Sequence, residues 1–171
     1  MSLSVPETMP IDAIVARIAA SHARLIAAIA PLTADQLQAP LLSNGWSVKD
    51  ALAHLAFWDQ RLLHAIYPIG GAQANRFAPP LIADIAYDEQ WLTTVNARIY
   101  DLNRGRSLAD VLAEFDATRP RLLTVVGSLT MHDLFDEDGL SALLGEPFAP
   151  MVLGAYEHYD EHSEELEAQQ W

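Results

Sequence analysis

The run SVKDALAHLAFWDQRLLHAI, Ser47 to Ile66, repeats its apolar residues every three to four positions, with Ala51, His54, Leu55, Trp58, Leu62 and Ile66 on one side. That period is helical; a half-buried strand would alternate every second residue. Ser47 followed three residues later by Asp50 is an aspartate form of the capping box, so a helix is expected over about Val48 to Ile66. His54 falls in the inward stripe. Burial disfavours an imidazolium, so this ring is expected to be neutral, the form that ligates a metal.

Upstream, Ile11, Ile14, Val15, Ile18, Leu25 and Ile29 keep the same period, which predicts a helix over Pro10 to Ala30 that Pro31 ends. Pro10 suits its first turn. His22 shares the stripe and reads as a packing residue with one satisfied nitrogen. TADQ (Thr33–Gln36) has capping-box spacing for one short turn, and Asn44-Gly45 breaks the chain. Downstream, Pro68 to Pro80 reads as a loop. Helical signal returns by Asp88, with Trp91, Val95, Ile99 and Leu102 inward, to about Asn103, and Gly105 stands as a helix C′ residue. SLAD (Ser107–Asp110) caps a further helix that runs towards Val126 through Leu108, Val111, Leu112, Phe115 and Leu122; Pro120 inside it predicts a kink or a break. Residues 130–150, with Gly139, Gly145 and Pro147, read mostly as loop with a turn near Met131. The last helix begins near Pro150 and turns Met151, Ala155, His158, Tyr159, His162 and Leu166 inward. No alternating run is long enough for a strand. The fold class is all-α: an antiparallel four-helix bundle with one additional helix, residues 1–10 being a flexible arm and 11–171 a single domain.

The 171 residues are 51% hydrophobic and 19% charged, enough for a core without staples. No cysteine is present, which removes disulfides, thiolate metal sites and cysteine nucleophiles, and suits the cytoplasm. Met1 to Pro10 lacks the basic and apolar regions of a secretory signal, and no apolar run is long enough to span a bilayer. A net charge of −13 argues against a nucleic-acid partner, which would need a basic face. Part of the acidity is concentrated in the last helix (Glu157, Asp160, Glu161, Glu164, Glu165, Glu167), which reads as a solvated face.

In YEHYDEH (Tyr156–His162), His158 and His162 are four apart and share one helical face. With His54 from a neighbouring helix they would offer three neutral nitrogens to a divalent transition metal, leaving positions open for water or substrate, as catalytic sites do. The competing reading, equally weighted on residue types, is a set of satisfied core imidazoles. Asp50 is expected to serve as a cap, and Glu161 and Glu165 to be solvated, with an outer-shell or proton-transfer role as the sharper alternative. Trp46 and Trp58 flank His54 and can line a pocket, Trp91 reads as core, and Trp171 is a chain end; Tyr156 and Tyr159 read as packing, with a phenolic hydrogen bond to substrate as the alternative. The candidate catalytic residues are therefore Glu161, Tyr159 and Trp58. A carboxylate-bridged di-iron site is excluded, because Ala51, Ala155 and Tyr159 stand where Glu-x-x-His would need glutamate.

GWSVKDALAHLAFWD, NARIYDLNRGRSLADVLAEF (Asn96–Phe115) and YEHYDEH are spread over most of the chain, and together they resemble the DinB-like metal-binding four-helix bundles, a superfamily with thiol-dependent S-transferases and maleylpyruvate isomerases. The middle segment and the E-H-Y-x-E-H run are similar to the ClbS/DfsB branch, named for a colibactin self-resistance protein that hydrolyses a cyclopropane warhead. The resemblance implies zinc or nickel on His54, His158 and His162, a homodimer, and a hydrolase or thiol S-transferase acting on a small electrophilic molecule in detoxification or self-resistance. A low-molecular-weight thiol would be the cosubstrate. The best-known member of the ClbS/DfsB branch does not rely on the triad, so a non-catalytic sequestration protein or a metal-free dimeric scaffold is the alternative.

Overall fold

In a computed structural model, which describes residues 9–66, 82, 85, 86, 88–144 and 148–169, the Ser47 cap opens its helix as the spacing predicts. Ser47 N donates to Asp50 Oδ2 at 3.0 Å and Asp50 N donates to Ser47 Oγ at 3.2 Å. The described residues form α1 (Ile11–Ile29), α2 (Ala34–Gln38), α3 (Val48–Ile66), α4 (Trp91–Asn103), α5 (Leu108–Gly127), α6 (Met131–Phe135), α7 (Leu140–Leu144) and α8 (Ala149–Glu167), with no strand among them. The expected arm, apart from its last two residues, the 68–80 loop and Trp171 lie outside the described residues. No described helix is long and apolar enough to cross a membrane.

Four long helices close a ring: α1 packs on α5 and α8, and α3 packs on the same two. The fifth, α4, covers the outer side of α3, so α3 is buried on nearly every side from Val48 to Ala56. Its burial is therefore broader than one stripe. Contact register gives the directions. Arg17 meets Asp160 and Arg24 meets Glu167, both 143 residues apart, so α1 and α8 run parallel. His22 meets Phe115 and Val15 meets Gly127, so α1 and α5 are antiparallel. Likewise α4 returns along α3, with Trp91 at Trp58 and Arg104 at Lys49, which lets α5 run parallel to α3. The order of the long helices is up, down, down, up, the additional helix being the return limb.

The core divides in two. One cluster gathers Ile14, Ile18, Leu62, Ile66, Leu122 and Val126 under α6 and α7; the other gathers Leu25, Leu52, Leu55, Val111, Phe115 and Tyr159. Between them lies a layer with Ser21, Asp59, Thr118 and Arg119, all buried.

Several expectations need correction. Helix α5 is continuous through Pro120, so the expected break does not occur; Pro120 and Asp116, whose carbonyl the proline cannot bond, are both exposed residues. Pro120→Ala is expected to raise stability by about 1–3 kcal/mol by restoring that bond. An unchanged urea midpoint would contradict this. Residues 130–150 hold two short helices, the first capped by a Thr130–Asp133 box (Thr130 N to Asp133 Oδ2, 2.7 Å). Leu102, expected inward, is 51% exposed. Pro10 is the N-cap of α1, one position outside its first turn. The acidic face of α8 is partly engaged: Arg17 Nη2 donates to Asp160 at 2.6 Å, and Arg24 donates Nε and Nη2 to Glu167 at 2.9 and 2.5 Å. Such exposed pairs add little energy but set register.

Candidate metal centre

Where α3 and α8 cross, each contributes imidazole. His54 is 5% exposed, and His158 and His162, one turn apart on α8, are half-buried. One nitrogen from each of the three lies within 4.8 Å of the others. His54 Nε2 and His158 Nε2 stand 2.8 Å apart, and ring centroids are separated by 4.7 Å (His54–His158), 5.6 Å (His54–His162) and 5.0 Å (His158–His162). Two indoles hold His54 in place, with Trp46 edge-on at 5.2 Å and Trp58 at 6.1 Å; Trp46 in turn stacks on Tyr100.

Burial drives all three histidines towards the neutral form. His54 is pushed down to about 2 and His158 to about 3 by desolvation, with their neighbouring imidazoles adding to it, and His162 is lowered by desolvation against a smaller opposing pull from Glu165. Three uncharged nitrogen donors converging in a half-apolar setting are a donor set that fits a borderline divalent ion such as zinc or nickel. His54 Nδ1 is buried and makes no hydrogen bond, an omission that costs about 1–3 kcal/mol if it stays unpaired.

The centre opens onto a cavity of about 430 Å³ whose lining includes His54, Trp58, Asp59, Asn96, His158 and Glu161. Of the candidate catalytic residues, Trp58 and Glu161 face this space, Glu161 being exposed. Arg61 lies over Trp58 and Trp91 at 5.5 and 5.2 Å, so Trp91 belongs to a half-buried aromatic stack at the cavity and not to the core. Tyr159 is 1% exposed and its hydroxyl donates to Asp59 Oδ2 at 2.8 Å. His22 stays apart from the group, stacked on Phe115 at 5.2 Å and pushed down to about 4 by burial and by Arg119.

Three features were not anticipated. Asp59 is buried at the cavity with Arg119 Nη1 at 3.5 Å from Oδ2, and desolvation still raises its carboxyl to about 6. Arg119 also donates to the Ile18 carbonyl and lies 4.5 Å over the Tyr159 ring, so one guanidinium touches α1, α3 and α8 from α5. Glu165, expected to be solvated, is half-buried: Oε1 accepts from Ser43 N at 2.9 Å and from Ser43 Oγ at 2.5 Å, while Oε2 lies 3.9 Å from His162 Nδ1. The available signal for Asp59 and Arg119 was a charge placed among residues of an otherwise apolar helix face. A second group, His132, Asp136 and Asp138, is exposed at all three residues.

A family model described as the mycothiol maleylpyruvate isomerase N-terminal domain matches residues 18–168. No curated protein and no solved structure matches the chain.

Proposed function

The chain belongs to the mycothiol maleylpyruvate isomerase N-terminal domain family, a DinB-like superfamily domain, and on that premise we propose a metal-dependent enzyme acting on a small electrophilic molecule. His54, His158 and His162 are the residues that would hold the ion, zinc or nickel. One observation carries the reading: three neutral imidazoles within 4.8 Å of one another, two of which, His54 and His158, line a cavity large enough for a small substrate. The ion, when bound, supplies Lewis acidity, lowering the pKa of a thiol or water and polarising a substrate oxygen.

The remaining roles belong to the chain. Trp58, Leu62, Leu92 and Met151 give the cavity an apolar wall that packs the substrate and limits water. Asn96 Oδ1, buried without a partner, accepts a hydrogen bond from the bound molecule. Glu161, exposed at the cavity wall, passes a proton between the bound molecule and solvent. The sequence has no cysteine, so a thiol must arrive as a cosubstrate, and the family's name makes mycothiol the first to test. Thiol transfer is therefore favoured over hydrolysis. The likeness of Asn96–Phe115 and of the E-H-Y-x-E-H run supports a place near the ClbS/DfsB branch, and the reading includes a homodimer and a cytoplasmic setting.

Protein purified without a metal-affinity column is expected to carry about one equivalent of zinc or nickel per chain, and His54→Ala to lose affinity by more than the roughly 10–100-fold typical of outer-shell changes. Unchanged metal content in His54→Ala would overturn the assignment. Consumption of a model electrophile with and without added thiol then separates transfer from sequestration.

A further inference from the structure

We propose that two serine-anchored carboxylates, Asp50 and Glu165, orient the outer nitrogens of His54 and His162, so that each ring presents Nε2 inward. The inference rests on the metal reading above and extends it to the residues behind the ligands. Each carboxylate is held in the same way. Asp50 Oδ2 accepts from Ser47 N at 3.0 Å and Ser47 Oγ at 2.6 Å; Glu165 Oε1 accepts from Ser43 N at 2.9 Å and Ser43 Oγ at 2.5 Å. In each case the serine occupies one oxygen and leaves the other.

One of the remaining oxygens already faces histidine, and the other is buried and unpaired. Glu165 Oε2 lies 3.9 Å from His162 Nδ1. Asp50 Oδ1 and His54 Nδ1 are both buried and both lack a hydrogen-bond partner. They are complementary, acceptor and donor. Helical side chains lean back over the preceding turn, which for His54 holds Ala51, with no polar side chain, and Asp50. Trp46, edge-on to the ring, offers only an N–H and cannot accept from Nδ1–H. The two atoms are not in direct contact; the terminal torsions of histidine and aspartate are broad, so rotation of the two side chains, or one bridging water, is what would join them. A ligating imidazole whose other nitrogen donates to a carboxylate is fixed in tautomer and is a better base. Asp50 would thus cap α3 with one oxygen and position His54 with the other.

Asp50→Asn separates the two tasks. The amide oxygen can still accept from Ser47 N and keep the cap, but the second atom becomes an NH₂ donor that favours the opposite tautomer of His54, with the proton on Nε2. Zinc affinity, measured by chelator competition, is expected to fall about 10–100-fold in Asp50→Asn and by a smaller factor in Glu165→Gln. In the metal-free protein, ¹⁵N NMR should find His54 protonated on Nδ1 in the unaltered chain and on Nε2 in Asp50→Asn, with the thermal midpoint little changed. An Asp50→Asn protein that matches the unaltered chain in both zinc affinity and His54 tautomer would overturn the proposal. If the unaltered chain binds no zinc, the metal reading fails separately, and the tautomer measurement still decides the role of Asp50.

Discussion

Replacing Arg119 with leucine is expected to destabilise the protein by about 3–5 kcal/mol at pH 7, the cost of removing one member of a buried ion pair. Arg119 is 3% exposed and is the only charge compensation among the contacts described for Asp59, whose carboxylate sits beside it at 3.5 Å between the two apolar clusters. Without the guanidinium, Asp59 must either carry an uncompensated charge or take up a proton, and α5 loses its ties to the Ile18 carbonyl and the Tyr159 ring. For a chain of this size the thermal midpoint should drop by roughly 10 °C. Asp59→Asn added to Arg119→Leu removes the stranded charge while keeping an acceptor for the Tyr159 hydroxyl, so the double variant should recover much of the loss. A midpoint shift of under about 2 °C in Arg119→Leu would mean that the pair contributes nothing that leucine cannot replace.

The same pair marks where sequence reasoning reaches its limit. Apolar period located α1, α3, α5 and α8 to within a residue or two, and serine or threonine with a partner three residues on located the starts of α2, α3 and α5. Period also placed His54, His158 and His162 on inward faces, because a helix face is a local property. It could not show that Asp59 and Arg119 meet, since they lie on different helices and nothing in their spacing couples them. Ser43 and Glu165, 122 residues apart, are hidden for the same reason. Direction was hidden too: that α1 and α8 run parallel depends on α4 serving as a return limb, a tertiary fact. By contrast, the Thr130–Asp133 box was fully legible. The acidic, glycine-bearing stretch after it offers too few apolar residues to show a period, so the box alone does not announce a helix.

Acid should unfold the metal-free protein steeply, and the sign follows from which state binds more protons. His54 and His158 have folded pKa values pushed to about 2 and about 3, far below the 6.5 of a free imidazole. Between those values and 6.5 the unfolded chain takes up protons that the folded chain refuses, so their contribution to stability is complete above about pH 6.5 and is lost as pH falls. His22 acts in the same direction. Asp59 opposes them: its folded carboxyl, raised to about 6, holds a proton that the unfolded chain releases near 3.8, so its contribution is greatest at low pH and is lost as pH rises to 6. The histidines outnumber it. A net excess of one to two protons on the unfolded chain at pH 5 corresponds to about 1.4–2.7 kcal/mol per pH unit, a large share of the roughly 5–15 kcal/mol that stabilises a typical domain. Urea midpoints measured at pH 7, 6 and 5 after chelation should therefore fall progressively, and the double variant His54→Leu, His158→Leu should flatten the trend. Equal midpoints at pH 7 and pH 5 would mean that the imidazoles are not held neutral by burial. That neutrality also makes them competent ligands, so added zinc should stabilise the folded state most at pH 7 and progressively less as protons compete for the same nitrogens.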